Sequence, residues 1–144
     1  MILILEKVVE DLDAVCRSAH ATASAAAKKA DFSRTALSGL ARLARRGRQQ
    51  LLARLEALGA VPIDDETTSV AGENDLNGFI LTYRRCGRRL CLAQVEARDS
   101  ADTQTADVVF HLLRDLERQL WLLDGGRSGR PVEASTAPGA YQFC

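Results

Sequence analysis

The apolar positions of this chain recur at helical rather than strand intervals along most of its length. Leu5, Val8, Val9, Leu12, Val15, Cys16 and Ala19 fall three or four apart, and the stripe continues through Ala23, Ala26 and Ala27. Side chains at those spacings share one face of a 3.6-residue turn, which predicts a first helix over residues 2 to about 28. Asp31 or Ser33 can cap a second helix by accepting a hydrogen bond from an exposed backbone N–H of its first turn. Leu37, Leu40, Ala44, Gly47, Leu51, Leu55 and Leu58 carry that helix, and Gly59 follows as its left-handed stop. Leu76, Phe79, Ile80, Tyr83, Gly87, Leu90, Gln94 and Val95 mark a third helix, closed by the polar "RDSADTQ". Val109, Leu113, Leu116, Leu120 and Leu123, reinforced by Val108 and Leu112, make a fourth, with Thr103 or Thr105 near its start and Gly125 and Gly126 at its end.

The connections decide how four such helices join. Residues 61–74, "VPIDDETTSVAGEN", hold turn formers, a proline and no sustained period. A helix of about 25 residues is roughly 37 Å long, and about 15 extended residues reach roughly 50 Å, so this segment is long enough to cross a bundle from end to end. Short connections on either side of one long connection predict an all-α fold, a ferritin-like four-helix bundle with a long crossover between helices two and three. The bundle is expected over residues 1–126. Residues 127–144, "RSGRPVEASTAPGAYQFC", read as a flexible C-terminal tail unless Tyr141 and Phe143 dock on a neighbour. Gly39, Gly47, Gly78 and Gly87 fall inside the helices, each costing roughly 1 kcal/mol relative to alanine. Tolerated drift in a strongly packed bundle is favoured there over close approach of backbones or of a bound group.

Charge and cysteine usage narrow the picture further. Nineteen basic residues balance nineteen acidic ones, so no overall field draws the chain toward nucleic acid or an anionic membrane. The opening "MILILEKVVEDLD" is apolar for five residues, lacks a basic leader and runs straight into acids, unlike a signal peptide. No window of about 18 uninterrupted apolar residues occurs, so no membrane span is expected. Cys16, Cys86, Cys91 and Cys144 form no Cys-x-x-Cys and no Cys/His pair at zinc-ligand spacing. Cys16, Cys86 and Cys91 are therefore expected as reduced core or near-core residues of a cytoplasmic protein.

The basic residues are unevenly placed. From Lys28 to Arg54, the basic residues Lys28, Lys29, Arg34, Arg42, Arg45, Arg46, Arg48 and Arg54 stand against the single acid Asp31, which makes the second helix a basic rod, and Arg84, Arg85, Arg88 and Arg89 form a second cluster on the third. Arg42, Arg45, Arg46, Arg48, Arg84, Arg85, Arg88 and Arg89 are thus candidates for contacts to DNA phosphates or to an acidic partner. Pairing with acids of the same or adjacent subunits is the favoured alternative, because the totals balance and no aromatic residues interleave for base stacking. No phosphate-cradling glycine loop occurs, and two histidines on separate helices make no nucleophilic arrangement.

The stretch "TADVVFHLLRDLERQLWLLD" resembles the last helix of the Dps family, small ferritin-like proteins of the bacterial stress response. The likeness rests on Thr105-Ala106-Asp107, on Arg114-Asp115-Leu116-Glu117 and on Leu120-Trp121. Ala19-His20 is similar to the family's Ala-His near the end of its first helix, and "ARLEALGA", residues 53–60, to its second-helix ending. The resemblance covers residues 1 to about 125. It implies a shell of twelve subunits that takes in and oxidises ferrous iron and stores the mineral, some members also binding DNA. The oxidation site is then made between subunits, from histidines and carboxylates on the first two helices.

Iron handled with oxygen requires carboxylates and imidazoles, and here the resemblance thins. The positions where the family would place its carboxylates carry Gln49 and Ala53, and "SRTALSGLARL" has no histidine. His20 alone remains of that set, so the intersubunit ferroxidase site is expected to be missing. A different iron site could draw on Asp107, His111 and Asp115, which recur every four residues on one face of the fourth helix. The bland readings are a solvated or intersubunit polar edge for that face and a hydrogen-bonded interior position for His20. Two function classes stay open: a shell-forming stress-protection or iron-storage homologue, and a non-enzymatic helical module binding DNA or an acidic protein through its arginines.

Overall fold

Most of each predicted stripe becomes the buried face of one helix; Val95, counted in the third stripe, is instead exposed on the outward side of its helix, half a turn from the buried Ala97. The computed structural model of the protein describes residues 1–25, 31–60, 76–127 and 143–144, and these form four α-helices: α1 (Ile2–Ala25), α2 (Asp31–Ala57), α3 (Leu76–Asp99) and α4 (Thr103–Arg127). No strand occurs among the described residues. The expected connection over residues 61–74 and most of the expected tail lie outside them.

Leu5, Val8, Leu12 and Val15 of α1, Leu37, Leu40, Ala44 and Leu51 of α2, Phe79, Tyr83 and Leu90 of α3, and Val109, Leu116 and Leu123 of α4 form one continuous core. Burial on this scale is the main favourable term in the fold, at about 25 cal/mol per Å² of apolar surface. The Tyr83 hydroxyl, fully buried, donates to the Leu116 carbonyl, which meets the requirement that a buried polar group keep a partner.

The helices pack as a square. α1 touches α2 and α3, and α4 touches α2 and α3, whereas α1 and α4, like α2 and α3, make no contact among the described residues. Named contacts give the directions. The Met1 ammonium lies 3.1 Å from Glu96, and Asp11 lies 2.8 Å from Arg89, so α1 and α3 are antiparallel. Arg54 reaches Thr105 at 3.2 Å and Gly47 meets Leu112, so α2 and α4 are antiparallel too. The few residues between α1 and α2 force them to turn back on each other, because a 24-residue helix outruns such a link. It follows that α2 and α3 run in the same sense across the diagonal.

Two of the glycines depart from the sequence-based expectation of tolerated drift. A Cβ on Gly47 would stand 2.6 Å from Leu112, and one on Gly87 would run into the Phe143 ring. These are close approaches that a methyl group would block. Gly39 has ordinary room, its nearest neighbour being Gln119 at 3.9 Å.

Helix ends follow from local chemistry. Gly59, at φ 82°, stops α2 as its sequence predicts, with Gly59 N–H bonded to Glu56 and Ala60 N–H to Leu55, the paired bonds of a left-handed helix cap. The same bonding closes α3, but the left-handed position is Ala101, at φ 57°. The cap of α4 is Asp102 rather than Thr103 or Thr105. Its carboxylate accepts the Thr105 N–H at 3.0 Å and the Thr105 hydroxyl at 2.5 Å. Helix α4 then continues through Gly125 and Gly126 to Arg127.

A left-handed alanine carries a steric cost that glycine does not. Ala101→Gly is expected to raise the unfolding free energy by about 0.5–1 kcal/mol, read from the urea midpoint. A lowered midpoint would refute the strain assigned to Ala101.

Candidate functional site

The four candidate metal ligands do not come together in one chain. His20 is exposed near the end of α1, and Asp107, His111 and Asp115 are all exposed on α4, a helix that α1 does not touch among the described residues. The expectation of an interior His20 is therefore corrected: its position on α1 points away from the apolar stripe. The face bearing Asp107, His111 and Asp115 is solvated, with the His111 ring packed edge-on to Phe110 at 5.6 Å. Among the described residues no group of three or more His, Cys, Asp or Glu side chains is placed to hold a metal ion. Gln49 and Ala53 are exposed on α2, and neither an amide nor a methyl group supplies the anionic oxygen that iron needs.

The arginines divide into two populations. Arg89 and Arg85 lie 2.8 and 3.7 Å from Asp11 across the seam between α1 and α3. Asp11 is buried, and its Oδ2 has no hydrogen-bond partner among the described residues. Burial lifts its carboxyl above the ordinary aspartate range, while the Arg89 and Arg85 guanidiniums pull it back. These two arginines thus neutralise an internal charge, the pairing favoured from sequence. Arg45 lies beside the Cys16 thiol, whose pKa burial raises. Arg42, Arg45, Arg46, Arg84 and Arg88 are exposed and Arg48 is half-buried. Because α2 and α3 stand on a diagonal, the two basic clusters occupy opposite sides of the bundle.

A third constellation was not foreseen. Cys91 is not a reduced thiol: it forms a disulfide with Cys144, with Cα atoms 5.8 Å apart and a sequence separation of 53. Phe143 seats its ring against Gly87 and 5.7 Å from Tyr83, and its backbone N–H donates to Glu117 at 3.3 Å. Glu117, a residue of the Arg-Asp-Leu-Glu stretch, is nearly buried and also meets Arg114 at 3.5 Å. The chain end is thus held in the groove between α3 and α4 by a covalent bond, a ring and a hydrogen bond. The available signal was Gly87, one turn before Cys91, which leaves a notch beside the bridging position. The neighbouring Cys86 stays free and buried, its thiol pushed up by desolvation, which keeps it from acting as a nucleophile.

Next to this clasp, Gln94, Phe110, Leu113, Arg114, Glu117 and Cys144 line a cleft of about 120 Å³. Small-molecule sites run to about 300–1,000 Å³, so the cleft suits a few waters rather than a substrate.

Compared with known proteins, the chain matches no family model, no curated protein and no solved structure.

Loss of the clasp is expected to weaken the fold. Cys144→Ser removes a cross-link closing a long loop and should lower the unfolding free energy by about 2–4 kcal/mol, measured by urea denaturation without reductant; an unchanged midpoint would show that the bridge restrains nothing.

The Asp102 carboxyl sits below its ordinary range, held there by the Thr105 hydroxyl, the Thr105 N–H and Arg54. A folded-state pKa below the unfolded value contributes stability that is present above the unfolded value, near pH 4, and lost as pH falls through the folded one. An asparagine in this place would still cap the helix but would not titrate. Asp102→Asn should therefore lose less stability than the parent between about pH 4 and pH 2, measured as the difference between their melting curves.

Proposed function

We propose that the protein is a ferritin-like subunit of the Dps kind that assembles into a closed homo-oligomeric shell and serves stress protection or iron storage, with a degraded ferroxidase site. The observation that carries this reading is the seam pattern. Helices α2 and α3 lie diagonally and run in the same sense, an arrangement that calls for a long crossover between them, as ferritin-like bundles have. The fourth-helix sequence supplies the family resemblance. Fold kinship alone does not carry chemistry.

Iron in this reading is cargo. Gln49 and Ala53 do not fit an oxidation centre, and no oxidation step is assigned to the chain. His20, Asp107, His111 and Asp115 are exposed and so open to a neighbouring subunit. No helix among the described residues is long and apolar enough to cross a membrane. A cytoplasmic setting has to accommodate the Cys91–Cys144 bridge, since reducing compartments keep such thiols open; a bridge closed under oxidising conditions accords with a role in stress.

A second reading rests on the exposure of Arg42, Arg46, Arg84 and Arg88: a non-enzymatic helical module whose basic faces bind DNA or an acidic protein. Phosphate contacts of this kind weaken steeply with salt.

Light scattering on the purified protein is expected to give a particle of about twelve subunits, with ferrous oxidation no faster than in protein-free buffer. A monomer at every concentration overturns the shell. Gel-shift affinity for DNA that falls between low and moderate salt would favour the second reading.

A further inference from the structure

The outward face of α3 carries a feature that neither the core nor the clasp uses. At 100° per residue, Arg88, Leu92, Val95 and Asp99 fall within about 60° of arc, on the side opposite Phe79, Leu90 and Ala97, which are buried. Leu92 is 57% exposed and Val95 56% exposed. Phe110, 38% exposed, lies at the same level in the adjoining groove, beside Gln94. Arg88 and Asp99 are exposed and form no ion pair among the described residues. Leu92 and Val95, three residues apart, thus set two neighbouring apolar side chains on one exposed face.

We propose that this face docks on the same face of a second copy of the chain, with the two α3 helices antiparallel about a two-fold axis between residues 93 and 94. The steps of four, three and four between Arg88, Leu92, Val95 and Asp99 are those of interlocking helix seams. In this register Leu92 of each copy meets Val95 of the other, and Arg88 of each meets Asp99 of the other. The patch is self-complementary in both apolarity and charge, as a two-fold interface requires. A foreign acidic partner would leave Asp99 facing like charge, and nucleic acid would leave Leu92 and Val95 unmatched, so a second copy is the occupant that satisfies all four residues.

The contact needs one two-fold axis and no shell, so it stands apart from the proposed function. Its test is sedimentation equilibrium on the full chain and on Leu92→Asp, Arg88→Asp, Asp99→Arg and the double variant Arg88→Asp/Asp99→Arg, with circular dichroism confirming that each exposed substitution leaves the helices intact. Leu92→Asp and each single charge reversal are expected to weaken self-association by about tenfold or more: the first places a charge in the apolar centre, and the reversals set like charges against each other across the axis. The double variant should return to within about threefold of the parent, since it restores both ion pairs in reverse. A monomeric parent overturns the proposal, as does a double variant no tighter than the weaker single one. A dimer that never grows larger would sink the shell and leave this interface standing; a large particle indifferent to all four variants would do the reverse.

Discussion

Four helices that each offer one apolar stripe can bury all four stripes at once only if every helix faces a common axis. That constraint sets the square in which, among the described residues, each helix touches two neighbours and none touches its diagonal. Once the square exists, the remaining freedom is small: interaxial distance is set by side-chain size at the seams, and here Gly47 lets Leu112 approach α2 more closely than any larger residue would. The intrinsic cost of a helical glycine is then offset by packing.

Three carboxylates among the described residues tie parts of this frame together, each in a different way. Asp11 is countered by Arg89 and Arg85 from the adjacent helix, a buried charge that gains its partners by packing rather than by proximity in sequence. Asp102 serves a helix end, and Arg54 from α2 reaches the same carboxylate at 3.4 Å, so one residue ties the cap of α4 to the end of α2. Glu117 receives the backbone of Phe143. Together with the disulfide, these contacts hold the chain end against α3 and α4, where the small cleft opens. Of the arginines that drew attention by number alone, Arg54, Arg85 and Arg89 pair with acids of the same chain, which leaves less basic surface than the sequence advertises.

The proposed kinship and the chemistry come apart for a physical reason. Helix packing depends on size and apolarity at the core positions, which tolerate exchange among Leu, Val, Ala and Phe. Metal oxidation depends on a few anionic and imidazole donors at fixed positions, and a Gln or an Ala there removes the donor while leaving the helix intact. A bundle can therefore keep its architecture after the ligands that once defined its use have gone.

Periodicity alone determined the four helices, most of the faces they bury and the stop at Gly59, because side-chain spacing and left-handed glycine preference are local properties; Val95, counted in the third stripe, is exposed. Local reasoning failed at Asp102, where a cap lies just outside the apolar pattern, and at Ala101, whose left-handed φ no alanine announces. It failed for His20, which lies one turn after Cys16 of the stripe yet is exposed, and for Cys91, whose partner lies 53 residues away. The pairing of Asp11 with Arg89, the seating of Phe143 on Gly87 and the diagonal placement of α2 and α3 were decided by tertiary structure, since each depends on which helices become neighbours, and that is settled by the joint burial of all four stripes rather than by any one of them.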